Sequence, residues 1–167
     1  MSRSMAESVL ARTPLDGDLW ASDYPLEDEL DAIRAFLDPA RIGSPMASPF
    51  GLYVIRTLGD GRAIGGIGFF GPPDATGAVE VGYGVVPSAR RRGVATRALR
   101  EMLRIAGANG ARTVKADTAL NNHASMAVMR SAGMEEVRRS EELAFFEVDL
   151  GKGKPDAADL CSRVASE

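Results

Sequence analysis

The sequence predicts an α/β (α+β) fold in which helices pack against a mixed β-sheet. Short segments rich in β-branched and aromatic residues are interspersed with segments whose apolar residues recur every three or four positions. The expected order is strand, helix, three strands, then helix, strand, helix and two strands. With 167 residues, 45% of them hydrophobic, the chain can form one domain with a substantial core.

The chain begins with one weak and one clear element. Residues 7–15 favour a weak first strand, whereas residues 23–38 favour a helix. Five apolar residues of that helix recur at helical spacing: Leu26, Leu30, Ile33, Phe36 and Leu37. Pro39 and the stretch GSPMASP at residues 43–49 then predict a loop.

Three strands follow the loop. Residues 51–58 and 62–71 favour two strands joined by a hairpin at Asp60-Gly61, because Asp-Gly suits the tight turn between antiparallel strands. Residues 78–86 favour a third strand that ends before Pro87.

The second half of the chain is more regular. Residues 93–110 predict an amphipathic helix that Asn109-Gly110 stops. Its apolar face consists of Ala95, Leu99, Met102, Leu103 and Ala106. The remaining elements are a strand at 112–118, a shorter helix at 122–134 that closes at Gly133, and a terminal hairpin with strands at 134–140 and 142–150. We therefore expect a single domain over residues 1–150 and a mobile tail at 151–167, which offers little to pack.

Composition excludes several classes of protein. A net charge of −3 gives no general attraction to nucleic acid or to anionic membranes. No run approaches the roughly 18 apolar residues of a membrane span, and residues 1–8 lack the apolar core of a signal peptide. The single cysteine, Cys161, cannot form an internal disulfide, and with one histidine a His/Cys metal site is not expected. These features favour a cytoplasmic protein without metal.

The stretch GIGFFG, from Gly66 to Gly71, has the spacing of a dinucleotide-binding motif. That motif works only where its glycines end a strand and open a helix, whose N-terminal N–H groups meet the phosphates. Here Pro72 and Pro73 follow, and the next periodic segment is another strand. We therefore interpret these glycines as relieving crowding in a strand or permitting a bulge.

A phosphate site is predicted about twenty residues later, where the strand at 78–86 leads directly into the long helix. Arg90, Gly93 and Ala95 form the pattern R-x-x-G-x-A at the helix start. A glycine lets an anion approach the backbone, and the helix N-terminus favours negative charge. Thr96 adds a hydroxyl donor. The alternative for the three arginines is a solvated cationic run or a nucleic-acid patch.

Three motifs in this order resemble the GNAT superfamily of N-acetyltransferases. They are GAVEVGYGVVPSARRRGVATRALREML at residues 77–103, Asn122-x-x-Ser125, and Met129 followed by Ala132-Gly133-Met134. The similarity runs from about residue 12 to residue 150 and is greatest to the branch of ribosomal-protein N-terminal (alanine/serine) acetyltransferases. It implies a mixed, mostly antiparallel sheet of six or seven strands, splayed at its centre, with helices on both faces.

The resemblance also implies roles for individual residues. Backbone groups of Val85 and Val86 would bond the pantetheine arm of acetyl-coenzyme A in the splayed gap. The N–H groups that would hold its pyrophosphate belong to Arg91, Arg92, Gly93, Val94, Ala95 and Thr96. Asn122 would bond the pantetheine or the acceptor, with Ser125 near the thiol. From the residues alone, Asn122 is also a good N-cap for the helix that begins there.

Acetyl transfer to an amine also needs a base. Glu80 is the candidate, because it lies in an otherwise apolar strand where desolvation would raise its pKa. An outward-facing carboxylate is the alternative, and Asp117 is the reserve base. Many family members carry a proton-donating tyrosine where this chain has Met129, so Ser125, water or no group at all would protonate the thiolate. Met129 is expected in the core and His123 at the surface.

Other functions and partners stay open at this level. A non-catalytic module that binds acyl-coenzyme A is the main alternative to an enzyme, and the acidic pI of about 5.3 disfavours a nucleic-acid binder. The acceptor-binding segments would be residues 20–24, residues 42–50 and the turn near Ser140. Aromatic and acidic residues there would suit a cationic amine: Trp20, Asp23, Tyr24, Glu27 and Asp28. A homodimer is compatible with an exposed sheet edge and with the resemblance.

Overall fold

The computed structural model describes residues 1–37 and 49–151. In these residues the chain forms four α-helices and six strands: α1 Arg3–Leu10, α2 Glu27–Leu37, β1 Leu52–Arg56, β2 Ala63–Phe69, β3 Ala78–Val85, α3 Val94–Ala108, β4 Thr113–Ala119, α4 His123–Ala132, β5 Glu135–Arg139 and β6 Leu143–Asp149. Most of the loop predicted at 43–49, most of the acceptor segment at 42–50, and Cys161 in the predicted tail lie outside the described residues.

The six strands form one sheet in the order β1-β2-β3-β4-β6-β5. All neighbouring pairs are antiparallel except β3 and β4, which run parallel. The hairpin between β1 and β2 encloses Asp60 and Gly61, and Gly61 takes the left-handed φ of 69° that such a turn requires. The mixed, mostly antiparallel sheet confirms the predicted architecture.

The strand predicted at residues 7–15 is wrong, because residues 7–10 belong to α1 and residues 11–15 form a turn and irregular chain. Ser2 caps the helix by accepting a hydrogen bond from the N–H of Met5 at 3.2 Å. Ala6 and Val9 are buried and three residues apart, which is the spacing of one helix face rather than the alternation of a strand. The sheet therefore begins at β1 and has six strands in the described part of the chain.

Helices cover both faces of the sheet. The hydroxyl of Tyr83 on β3 reaches Ser125 of α4, and α4 packs on α3. The neighbouring Gly84 points the opposite way, because a Cβ there would meet Leu26, the residue before α2. Thus α2, with α1 packed on it, lies on one face, and α3 with α4 on the other. The two faces of β3 are therefore covered by different helices.

The core lies between the sheet and these helices. Its largest fully buried side chains include Leu30, Ile33, Phe69, Leu99, Met129 and Phe146. The burial of Met129 confirms its predicted place in the core. Within residues 1–37 and 49–151, none of the helices has the length and apolar character needed to cross a membrane.

Candidate active site

A gap opens between β3 and β4 after only three residue pairs. The two strands pair from Ala78 with Thr113 to Glu80 with Lys115, and no pair follows. Beyond that point β3 continues to pair with β2 on its other side, and β4 with β6. The second half of β3 therefore has a free edge, which confirms the predicted splay at the centre of the sheet.

The hydrogen bonds to β2 determine which backbone groups of β3 face this gap. Glu80 accepts from the N–H of Phe70 at 3.0 Å, and the N–H of Val86 donates to the carbonyl of Ile64 at 2.9 Å. Because alternate residues of an antiparallel strand turn their polar groups to opposite sides, Tyr83 and Val85 direct theirs into the gap.

Val86 is engaged inside the protein, which corrects the expectation that its backbone groups are exposed. Its N–H is bonded to Ile64, and its carbonyl accepts from the N–H of Ala89 at 3.0 Å. Val86 ends the strand as the first residue of a tight turn at Pro87–Ala89. Among the two valines predicted for the pantetheine arm, Val85 alone offers its polar groups to the gap, and its carbonyl already receives Nε of Arg90 at 2.9 Å.

The start of α3 lies directly after this turn. Arg91 and Gly93 both have left-handed backbones, with φ of 60° and 68°, so the chain bends sharply before the helix. Gly93 is the N-cap residue and no side chain caps the helix. The first N–H groups of α3, those of Val94, Ala95 and Thr96, therefore lack helical partners and carry the positive end of the helix dipole.

Charge around this helix start is positive and accessible. Arg90, Arg91 and Arg92 are all exposed. The Arg90 side chain is directed to the Val85 carbonyl, whereas Arg97 donates to the carbonyl of Arg92 at 3.1 Å and steadies the bend. The loop thus combines arginine side chains with unsatisfied N–H groups, a combination that suits a phosphate group.

Asn122 and Ser125 lie at the start of α4, on the far side of the gap. Oδ1 of Asn122 accepts from the N–H of Ser125 at 3.1 Å, so the capping role of Asn122 is observed. The hydroxyls of Ser125 and Tyr83 lie 2.9 Å apart. Burial raises the pKa of the Tyr83 phenol, which keeps it protonated. His123 is exposed, as predicted.

Sequence reasoning missed Tyr83, although it lies within the motif at residues 77–103. The available signal was its position on β3: residues 81, 83 and 85 alternate toward the face that α3 and α4 cover. Its partner could not be read from the sequence, because Ser125 is forty-two residues away.

The candidate base Glu80 lies at the point where the gap opens. Its side chain is exposed, on the same face as Gly82 and Gly84. Burial of part of the carboxylate, together with repulsion from the carboxylate of Asp117, raises its pKa, and Lys115 opposes that rise. Asp117 is exposed as well. The structure therefore places both candidate carboxylates near each other at one side of the gap.

The predicted acceptor segment at residues 20–24 has definite structural roles. Asp23 accepts from both the N–H and the hydroxyl of Ser88, at 2.9 and 2.8 Å. These bonds hold the segment against the turn that precedes residues 90–96, the phosphate loop. These hydrogen bonds lower the pKa of Asp23. The rings of Trp20 and Tyr24 meet edge to face at 5.1 Å. Trp20 is bonded to Asp18, and Glu27 forms an ion pair with Arg12.

A pocket of about 230 Å³ lies between α2 and the strands β1, β2 and β3. Its lining is mostly apolar and includes Ile33, Leu52 and Phe70. Asp28 and Glu29 of α2 are its acidic residues. Because Gly82, Tyr83 and Gly84 of β3 also line it, the pocket borders the strand segment whose free edge faces the gap.

Among solved structures, 203 chains match this one. An acetyltransferase of the GNAT family from Bacillus anthracis superposes with a TM-score of 0.57 at 16% identity, over 63% of this chain and 68% of that one. A ribosomal-protein-S5-alanine acetyltransferase from Vibrio fischeri also gives 0.57 at 16% identity, over 62% of this chain and 63% of that one. A spermidine N-acetyltransferase from Vibrio cholerae, solved with coenzyme A and spermine, gives 0.55 at 12% identity, over 60% and 66%.

These structural similarities establish the fold. This chain covers less than two thirds of the length of the Vibrio fischeri and Vibrio cholerae proteins. Among proteins with curated descriptions, none shows significant sequence similarity to this chain. The family model for the acetyltransferase (GNAT) domain matches residues 9–135, which is well over half of the chain and includes the gap, the phosphate loop and α4. The chain therefore belongs to the GNAT family of acetyltransferases.

Proposed function

We propose that this protein transfers the acetyl group of acetyl-coenzyme A to a primary amine of a small molecule or of a protein N-terminus, by direct attack of the amine. The observation that carries the proposal is the gap between β3 and β4, which opens beside the uncapped start of α3. An extended amide-containing arm can bond a free strand edge, while a diphosphate suits a helix N-terminus. Acetyl-coenzyme A contains both groups.

In this proposal the cosubstrate lies along the free edge of β3. Val85 bonds the pantetheine arm, Val86 supports the end of the strand, and Asn122 bonds the arm from α4. The pyrophosphate accepts hydrogen bonds from the loop and the helix start, namely from Arg91, Arg92, Gly93, Val94, Ala95 and Thr96. The solved spermidine N-acetyltransferase that contains coenzyme A supports this choice of cosubstrate.

Glu80 is proposed to accept the proton of the incoming amine, directly or through a water molecule. Its raised pKa brings it nearer to neutrality, where a base is most effective. The neutral amine then attacks the thioester carbon, and a backbone N–H of β3 near Val85 stabilises the developing oxyanion. Asp117 is the reserve base because it lies close to Glu80.

Ser125 is proposed to return a proton to the departing thiolate. Its hydroxyl can donate toward the gap while it accepts from the protonated phenol of Tyr83 at 2.9 Å. The pair can therefore replace the tyrosine that many family members carry where this chain has the buried Met129. The products are an acetamide and the free thiol.

Titration calorimetry with coenzyme A, paired with an assay of thiol release over a panel of amines, tests the proposal. The panel should contain alkylamines, polyamines, aminoglycosides, amino acids and short peptides. Micromolar binding of coenzyme A with release that depends on one class of amine supports an acetyltransferase of that class. Binding without amine-dependent release from any member would instead indicate a non-catalytic acyl-coenzyme A module. A homodimer and a cytoplasmic location stay predictions.

A further inference from the structure

The pocket beneath α2 exists because four glycines line one face of two adjacent strands. In the register of β2 and β3, Gly66 pairs with Gly84 and Gly68 pairs with Gly82. Directly paired residues point to the same face, so the four positions form one patch without side chains. This patch includes the first glycines of GIGFFG, a stretch with no phosphate-binding context.

Each glycine of the patch keeps space clear for a neighbouring group. A Cβ at Gly66 would come within 2.5 Å of Oε1 of Glu29, and a Cβ at Gly84 within 2.7 Å of Cδ1 of Leu26. Real side chains do not approach so closely, so a side chain at residue 66 would displace the Glu29 carboxylate from its present place over β2. The glycines thus explain both the pocket and the position of the carboxylate in it.

Glu29 is the acidic group that this arrangement buries. Tyr24 donates to its Oε1 at 2.7 Å, while Oε2 is buried and lacks a hydrogen-bond partner among the described residues. Burial raises the pKa of Glu29 to about 7, although the bond from Tyr24 and the N–H of Leu26 lower it. Burying a carboxylate oxygen without a hydrogen-bond partner costs free energy. Contact with a cation or another donor removes that cost.

Other ionisable groups near the pocket do not satisfy that oxygen. The amino group of Met1 lines the pocket but donates to the carbonyl of Leu52 at 2.6 Å. Asp28 is exposed and carries the same charge as Glu29. Arg56, which acts electrostatically on Tyr24, is bonded to Asp18 at 2.6 Å.

We propose that this pocket is the binding site of the acceptor amine and that Oε2 of Glu29 binds its ammonium group. The inference rests on the proposed acetyl transfer and names the acceptor side of it. The pocket and the gap share residues 82–84 of β3, so an amine held beneath α2 is adjacent to the strand segment along which the thioester would lie.

The lining selects the class of amine. Apolar side chains from α2 and β1 surround a single buried carboxylate, so a primary amine on an alkyl carbon is complementary to the site. A free amino acid would bring its own carboxylate beside Asp28 and Glu29, and the repulsion disfavours it. Alkylamines have no carboxyl group, and the first residue of a peptide has its carboxyl group in an uncharged amide. These two classes are therefore the expected acceptors.

The proton and bond changes balance within this arrangement. The ammonium held at Glu29 gives one proton to Glu80, directly or through water, and the nitrogen lone pair then forms the new N–C bond at the thioester carbon. The C–S bond breaks, the second proton of the nitrogen reaches the thiolate by way of the Ser125 hydroxyl, and Glu80 releases its proton to solvent.

Binding of n-butylammonium, measured by titration calorimetry without acetyl-coenzyme A, tests the inference. At pH 7.5 we expect binding by the wild-type protein with proton release, seen as a dependence of the heat on the ionisation enthalpy of the buffer. Glu29→Gln keeps the shape and removes the charge, so affinity should fall at least about tenfold. Asp31→Asn is the matched control, because Asp31 is an exposed acid on the same helix paired with Arg34. Wild-type affinity of Glu29→Gln for butylammonium would overturn the inference.

Coenzyme A binding separates this inference from the proposed function. Glu29→Gln should bind coenzyme A within about twofold of wild type, since the phosphate loop is on the other side of β3. If Glu29→Gln released thiol in an amine-dependent way with an unchanged kcat/KM, the inferred acceptor site would be overturned. The proposed acetyltransferase activity would still stand. Glu29-dependent butylammonium binding in a protein that neither binds coenzyme A nor releases thiol would support the amine site and overturn the acetyltransferase. Gly66→Ala, which places a methyl group against Glu29, should weaken butylammonium binding in the same way.

Discussion

The hydroxyl of Tyr83 lies 2.9 Å from Oγ of Ser125 and connects β3 to α4 across the gap in the sheet. The Ser125 carbonyl lies 3.2 Å from the same hydroxyl and is an alternative acceptor for its proton. Both residues are partly buried, and Met129, one turn farther along α4, is fully packed in the core. The phenol on β3 therefore provides a proton donor beside the Ser125 hydroxyl.

Tyr83→Phe and Ser125→Ala test this pair as a proton donor. Each substitution should lower kcat by about 10- to 100-fold, because general acid catalysis contributes on that order or more. Coenzyme A affinity should change little. In a double-mutant cycle the combined variant should be no slower than the slower single variant, since the two hydroxyls act as one unit. Additive losses would show instead that the two residues act separately.

Gly93→Asp tests the phosphate site. Aspartate places a negative charge where the N–H groups of α3 face the pyrophosphate, so the Kd for coenzyme A should rise by about 10- to 100-fold, as expected for the loss of a charge-assisted hydrogen bond. Gly93→Ala is the control, because it strains the left-handed φ of 68° without adding charge. Calorimetry of both variants separates the two effects. If Gly93→Asp bound coenzyme A with near-wild-type affinity, the pyrophosphate could not be assigned to the start of α3.

Local patterns in the sequence predicted most of the fold. The second half was predictable because α3 and α4 have clear apolar faces and end at Asn109-Gly110 and Gly133, where left-handed glycines stop a helix. The strand predicted at residues 7–15 was wrong because this segment carries few apolar residues. The N-cap at Ser2, which marks the start of α1, lies before the segment.

The candidate site was predictable only where one segment supplies it. The loop from Arg90 to Thr96 is contiguous in sequence, so its character could be recognised directly. In contrast, Glu29 is one of three acids in the first turn of α2, and nothing local distinguishes it from Glu27. Its burial depends on glycines of β2 and β3, and such long-range packing is not visible in the sequence. The direction of the Val85 backbone groups into the gap depends likewise on where β4 diverges.

Glu80→Gln tests the base at the mouth of the gap. If Glu80 takes the amine proton, kcat should fall by about 10² to 10⁴ with coenzyme A affinity nearly unchanged, and the deficit should shrink at high pH, where more amine is already neutral. If Glu80 is only a surface residue of β3, turnover should be intact and the free energy of unfolding should change by no more than about 0.5 kcal/mol. A pH–rate profile of both proteins with one accepted amine decides. Equal rates at every pH would favour Asp117 or Glu29 as the base.

The raised pKa of Glu29 predicts a pH-dependent loss of stability. Its pKa is about 7 in the folded protein and near its model-compound value of 4.5 after unfolding, so the folded state binds the proton more tightly. The contribution of Glu29 to the free energy of unfolding is therefore fully present below about pH 4.5 and is lost as the pH rises through 7. A shift of this size corresponds to about 3 kcal/mol, and partial solvent contact reduces the expected loss to about 2 kcal/mol.

Urea unfolding of wild type and Glu29→Gln between pH 4.5 and 8 measures this contribution. The neutral glutamine cannot ionise, so the difference in unfolding free energy between the two proteins isolates Glu29 from the other carboxylates. We expect wild type to lose stability relative to Glu29→Gln as the pH rises, with the midpoint of the change between 4.5 and 7. Saturating n-butylammonium should reverse part of this loss above pH 7, because an ammonium group at Oε2 stabilises the charged carboxylate. A pH-independent difference between the two proteins would show that Glu29 is solvated in the folded state.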